Sequence, residues 1–196
     1  MLRHMRVIGG LAKGRKLASV PGDTTRPILD RVKTALFDIL RPRLDGLSVL
    51  DLFAGSGSVG IEALSQGAAR CVFLDINQKA VQTIRHNLHA AELTALAEVR
   101  NTDAIGYLRK TCKVFDLIFV APPQYKALWI ESLHTIAERP GLLSENGEVI
   151  AQIDPREYER LSLAHLQEVR QVKHGNTLLV FYSKREPGCL SVQEPA

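Results

Sequence analysis

Residues 49–64 read VLDLFAGSGSVGIEAL, and this stretch decides the fold. Val49 to Phe53 is a short apolar run of strand character with one acid, Asp51, near its end. Ala54-Gly55-Ser56-Gly57 makes a glycine turn, and Ser58 to Leu64 continues as a helix. In an open α/β sheet, ligands gather beyond the carboxyl ends of the strands, where strand order reverses. Gly55 and Gly57 remove side chains where backbone and ligand approach closely, and glycine tolerates positive φ. The N–H groups that open the following helix suit a carboxylate or phosphate.

Downstream of this unit, strand-like runs at 48–53, 70–75, 96–101, 114–120 and 147–153 alternate with helical patterns near 57–67, 77–91, 102–110 and 126–138. That alternation predicts a mostly parallel sheet covered on both faces. After Pro155 the pattern predicts a short helix near 155–162. Two strands, near 166–173 and 177–183, then flank His174-Gly175-Asn176 as an antiparallel hairpin that completes seven strands. Upstream, residues 5–20 have the pattern of a small hairpin, Arg6-Val-Ile against Lys16 to Val20, broken by Pro21-Gly22-Asp23. Thr25 can cap a helix opening at Arg26-Pro27, whose apolar positions Ile28, Val32, Ala35, Leu36, Ile39 and Leu40 fall at helical spacing. The expected organisation is a basic hairpin over 1–23, one catalytic α/β domain over 24–185 and a flexible tail over 186–196.

The 196 residues are 45% hydrophobic and 23% charged, as in a globular protein with a proper core. No apolar run approaches the roughly 18–20 residues that cross a membrane, and MLRHMRVIGG is too short and glycine-rich in its apolar part for a signal peptide. A cytoplasmic protein is expected. Cys71, Cys112 and Cys189 match neither a zinc pattern nor a disulfide framework; Cys71, in ARCVFLD, reads as a small buried apolar residue. No histidine pair is spaced for a ligand site, so no metal is expected. Residues 1–43 hold ten basic side chains against three acidic ones, although the whole chain carries only +4. A basic arm on a near-neutral body suits a polyanion.

Three ligands compete for the glycine turn. A phosphate-gripping loop needs Lys followed by Ser or Thr after its glycines, which is missing. A nicotinamide dinucleotide site needs GxGxxG, and Gly55, Gly57 and Gly60 fit it formally. S-adenosylmethionine is favoured by Asp51, whose charge suits a sulfonium and an ammonium tail and opposes a pyrophosphate. Asp75, closing the next strand about twenty residues on, can accept both ribose hydroxyls of any nucleoside. Ile76 follows it. Asp103 and Ala104, after the third strand, are placed for the adenine; Asp103 reads equally as an N-cap. The cofactor set is Asp51, Phe53, Ala54, Gly55, Ser56, Gly57, Asp75, Ile76, Asp103 and Ala104.

A later strand, Phe115–Val120, runs into Ala121-Pro122-Pro123-Gln124-Tyr125. Two prolines freeze the backbone there, and Pro122 pushes Ala121 into an extended conformation. A rigid turn with carbonyls and an aromatic ring could clamp a flat base and accept from its exocyclic amine.

The segments RVIGGLAKGRKL, TRPILDRVKTALFDIL, VLDLFAGSGSVGIEALSQGA, VFLD and the Pro-Pro turn together resemble the 16S rRNA (guanine-N2)-methyltransferase family, RsmD type. The resemblance spans nearly the whole chain in order. It implies a class I, Rossmann-like methyltransferase fold. It also implies S-adenosylmethionine as donor and the exocyclic N2 of a guanine in 16S rRNA, free or in the small-subunit particle, as acceptor. It makes the hairpin the RNA-binding element, with Arg6, Lys13, Arg15, Lys16, Arg26 and Arg31 on the phosphates. Nothing calls for more than a monomer. The family's acceptor turn runs Asp or Asn, Pro, Pro, then Tyr or Phe. Here Ala121 stands first and Gln124 fourth, with Tyr125 one place late. Ile28 replaces a Thr and Asp38 an Asn. Ala121 motivates a second reading, a protein that binds S-adenosylmethionine and RNA with lost or altered activity.

Overall fold

A computed structural model describes residues 5–22, 30–124 and 127–185. Strands β1 (Met5–Arg6) and β2 (Lys16–Leu17) form the small antiparallel hairpin. Helix α1 (Asp30–Leu40) leads to β3 (Ser48–Asp51), α2 (Ser58–Ser65), β4 (Arg70–Asp75), α3 (Gln78–Ala90), β5 (Ala97–Asn101) and α4 (Ala104–Lys110). Then come β6 (Phe115–Val120), α5 (Leu128–Ala137), β7 (Leu143–Ile153), β8 (Leu166–His174) and β9 (Thr177–Lys184). The seven long strands lie in the order β5-β4-β3-β6-β7-β9-β8. β3 to β7 are parallel, and β9 runs antiparallel between β7 and β8.

Alternate residues of each strand enter one of two cores, as the period of two demands. Val49, Cys71, Phe73, Leu117, Phe119, Ile150, Leu179 and Phe181 face α1, α2, α3 and the hairpin. Leu50, Leu52, Val72, Leu74, Ile118, Val120, Val149, Ala151 and Ile153 face α4 and α5. Trp129 is buried in this second core at 1% exposure, a packing residue as its isolated place on an apolar helix suggests. Among the described residues no helix is long and apolar enough to cross a membrane.

The expected Rossmann-like architecture, mostly parallel with an antiparallel C-terminal pair, is present. Gly175 supplies positive φ, +60°, in the two-residue turn joining β8 to β9. One expectation fails: 155–162 is not a helix. Only Pro155–Glu157 makes a single 3-10 turn, opened by Asp154 Oδ1 accepting from Arg156 N at 2.9 Å. Beyond it, Leu161 and Leu163 both turn toward the α4–α5 core, a spacing of two that suits an extended crossing rather than a helical stripe. Thr25, Arg26, Pro27 and Ile28 lie outside the described residues, as do Tyr125 and the tail.

Candidate active site

Strand order reverses at β3, which has β4 on one side and β6 on the other. The crevice beyond this point receives the glycine turn from β3, Asp75 from β4 and the proline turn from β6. Asp51 is 2% exposed, and its Oδ2 accepts from Gly60 N of α2 at 3.1 Å. Among the described residues no cationic side chain pairs with it. Burial first, offset in part by that backbone hydrogen bond and reinforced by the Asp75 charge, raises its pKa from 3.8 to about 7.

Asp75 is organised differently. Its Oδ2 accepts from Gly55 N and its Oδ1 from Asn77 N, each at 2.8 Å, so the carboxylate holds the glycine turn as well as the start of α3. A carboxylate oxygen accepts more than one hydrogen bond, so these two can also take hydroxyl donors. Ile76 beyond it is 75% exposed, an apolar face standing open beside the crevice. Gly55 has φ +54°, and a Cβ built there meets nothing within 4 Å, so the space above the turn is open to a ligand. Gly57 has φ +77° and lies against Ile84. Phe53 is partly buried, Ala54 and Ala104 are buried, and Ser56 is partly exposed. Asp103 caps α4, its Oδ2 accepting from Gly106 N at 2.6 Å.

At the end of β6, Ala121 and Pro122 are partly buried, while Pro123 and Gln124 are exposed. Asp51 and Phe119 are in register, so the proline turn begins two residues beyond the rung that carries the buried acid. Tyr125 lies outside the described residues.

The hairpin packs directly on this machinery, a connection the sequence does not disclose. Glu62 of α2 is fully buried and accepts from Ile8 N, Gly9 N and Gln66 Nε2. Lys33 of α1, 1% exposed, lies 3.2 Å from it and donates to Arg6 O at 2.6 Å. Lys33 therefore does not belong to the basic surface of residues 1–43; its charge is internal. A Cβ on Gly10 would stand 1.7 Å from Ser65 O, so only glycine lets the loop lie on α2. Asn87 of α3 joins β2 to the cofactor turn: its Oδ1 accepts from Ala18 N, and its Nδ2 donates to Ala18 O and Ser56 O. The signal is present, since Glu62 interrupts the apolar run VGIEAL and Lys33 falls on the inward face of α1.

Of the basic candidates, Lys13 and Lys16 are exposed. Arg15 reaches Glu92 at 2.5 Å, and Arg6 stands 4.0 Å from Asp30. Arg31 is exposed at the start of α1, with its guanidinium beside Gly175. Arg26 lies outside the described residues.

A pyrophosphate would meet the Asp51 carboxylate where burial already disfavours the charge, whereas a sulfonium with an ammonium tail relieves it. The fold and this charge pattern define an S-adenosylmethionine-dependent methyltransferase of the Rossmann-like class, and the dinucleotide alternative falls. More narrowly, the chain belongs to the family described as Conserved hypothetical protein 95, which matches residues 5–183; this is the RsmD-type family that the sequence resembles. YlbH of Bacillus subtilis is 41% identical over 184 residues, covering 92% of this chain and all of YlbH. Ribosomal RNA small subunit methyltransferase D of Haemophilus influenzae is 35% identical over 138 residues, covering 69% of this chain and 72% of that protein. The solved structure of yhhF from Escherichia coli superposes with a TM-score of 0.82 at 29% identity, covering 92% of this chain and 98% of yhhF.

Proposed function

We propose that this protein transfers the methyl group of S-adenosylmethionine to the exocyclic N2 of a guanine in 16S rRNA, acting as a cytoplasmic monomer on rRNA or the small-subunit particle. The observation that carries this reading is the register of Asp51 with Phe119, which puts a buried uncompensated acid and a rigid proline turn at one crevice. Relatives in Haemophilus influenzae and Escherichia coli bear the name ribosomal RNA small subunit methyltransferase D, which agrees with an rRNA acceptor.

When bound, S-adenosylmethionine supplies an electrophilic methyl on a cationic sulfur. Asp51 then faces the positive charge and amino-acid tail, Asp75 accepts from the ribose hydroxyls, and Ile76, Asp103 and Ala104 border the adenine. Phe53, Ala54, Gly55, Ser56 and Gly57 form the wall over which the donor lies. The carbonyls of Ala121 and Pro122, stiffened by Pro123, accept from the amine, while Gln124 and Tyr125 close on the base. A guanine N2 is a weak nucleophile whose proton becomes acidic only as the N–C bond forms. The chain's task is therefore in-line placement and acceptors for developing positive charge, with no strong base required. On transfer the N2–methyl bond would form as the S–C pair stayed on sulfur, and the N2 proton would pass to water while the Ala121 and Pro122 carbonyls bear the developing positive charge. Arg6, Lys13, Arg15, Lys16, Arg26 and Arg31 hold phosphates and set register without reading bases.

Labelled S-adenosylmethionine offered to 30S particles from a strain lacking the enzyme tests this, with nucleosides resolved by mass. N2-methylguanosine at one site is the expected product. Label on another atom or on protein would overturn the guanine assignment. Donor binding with no transfer would favour the second reading, a module with lost activity, which rests on the methyl side chain of Ala121.

A further inference from the structure

A primary amine on a planar base carries two N–H donors, and an enclosed donor without an acceptor is costly. The main chain of the proline turn can serve one of them. The side chain of Ala121 can serve neither, and the neighbouring strand offers an acceptor in its place.

Gln152, next to last in β7, is partly buried, and its Oε1 exposes less than 1 Å² with no hydrogen-bond partner. Leaving an amide oxygen buried and unpaired costs about 1–3 kcal/mol, and such a group calls for an explanation. Its position supplies one. Phe119 pairs with Ile150 and Val120 with Ala151 in parallel register, so Gln152 comes beside Ala121 one rung further on. Val120, Ala151 and Ile153 point into the α4–α5 core. Gln152 therefore lies on the opposite face, the face of Phe119, Ala121 and Asp51. Neighbouring strands stand about 4.8 Å apart, a span that the glutamine side chain covers. The Tyr107 and Tyr182 hydroxyls are also buried without partners, but both belong to the α4–α5 side. On the α1 side, among the described residues, His174 Nε2 at the end of β8 is a second such atom. β8 runs parallel to β7, so these two groups on the α1 face share the acceptor end of the sheet.

We propose that Gln152 Oε1 accepts a hydrogen bond from the exocyclic amine of the acceptor base, holding it in line with the donor in the role that Ala121 cannot fill. The oxygen is closed to solvent in the ligand-free protein, so the Gln152 side chain must turn toward the crevice to meet the amine, and the oxygen gives up no hydrogen bond in doing so. This inference rests on the guanine reading above and deepens it by naming the side chain that orients the amine.

The test is single-turnover transfer to undermethylated 30S particles by the wild type, Gln152→Met, Gln152→Glu and Ala121→Asn/Gln152→Met. Gln152→Met keeps length and loses the acceptor. It should slow transfer about 30-fold or more while S-adenosylmethionine affinity stays within about twofold. Gln152→Glu retains an acceptor oxygen and most of the rate, and Ala121→Asn restores rate to Gln152→Met by placing an amide on the adjoining strand. If Gln152→Met proves unstable, Gln152→Ser, too short to reach, carries the same expectations. An undiminished rate in Gln152→Met, a parallel loss of donor binding and rate, or equal damage in Gln152→Glu overturns the inference. A wild type that makes no N2-methylguanosine overturns the functional reading beneath it. A wild type that makes N2-methylguanosine alongside an equally fast Gln152→Met overturns this inference alone.

Discussion

Lys33 Nζ lies 3.2 Å from Glu62 Oε2, with 1% and 0% of the two side chains exposed. The pair joins α1 to α2, and the backbone of the hairpin donates into the same carboxylate. Removing one member strands a buried charge. Lys33→Met should therefore cost about 3–5 kcal/mol, and Lys33→Met/Glu62→Gln should recover part of it because a neutral amide still accepts from Ile8 and Gly9. Urea unfolding of both variants measures this; a Lys33→Met protein as stable as wild type would refute the pair's role.

On the proposed reading, Asp51 should make donor binding depend on pH. Its pKa in the free protein stands at about 7 against an ordinary 3.8. The raised value means protonation favours the folded state; that contribution is full below about 4 and lost as pH rises through 7. A sulfonium needs the ionised carboxylate, so S-adenosylmethionine should bind about tenfold more weakly for each pH unit below 7. Titration calorimetry from pH 5.5 to 8 would show it. Asp51→Asn should flatten the profile, weaken binding and raise the melting temperature of the ligand-free protein above pH 7. A pH-independent wild-type affinity would show that Asp51 does not face the cation.

Asn87 satisfies three backbone groups, two on Ala18 and one on Ser56. Asn87→Ala should cost about 2–3 kcal/mol and loosen the glycine turn enough to weaken donor binding several-fold. Asn87→Asp should be worse, because a carboxylate would confront the carbonyls of Ala18 and Ser56. Denaturant midpoints and donor affinities report both effects; an Asp variant milder than the Ala one would contradict the assigned geometry.

On the hairpin, Arg15→Ala/Lys16→Ala should weaken rRNA binding and flatten the dependence of log affinity on log salt. For single-stranded RNA the slope falls by about 0.7 for each phosphate that is no longer neutralised. Donor affinity should not change. An unaltered slope, or equal weakening toward both ligands, would place the RNA elsewhere.

Much of the fold is legible in the sequence because it depends on period and local chemistry. Alternation decides which side of each strand enters a core, and apolar runs ending in Asp51 and Asp75 locate the crevice. Gly175 marks the turn that closes the antiparallel pair. What stays hidden depends on distant partners. Lys33 reads as surface charge when basic residues are merely counted; its place on the inward face of α1 marks it as internal, but only the fold reveals that Glu62 is its partner. Gln152 is one polar residue at the end of an apolar strand, and the meaning of its unpaired oxygen comes only through register with β6. Asp103 reads both as an N-cap and as an adenine contact, and its Oδ2 fills the first of these in opening α4. The stretch after Pro155 departs from the expected helix because its leucines pack at a spacing of two across the edge of the sheet.

β9, the last strand among the described residues, lies inside the sheet, hydrogen-bonded to β7 on one side and β8 on the other. During synthesis β8 emerges before the strand that would tether it, so it has no docking site until Lys184 has been added. Closing the β7–β9–β8 side of the sheet must therefore wait until the residues through Lys184 have left the ribosome.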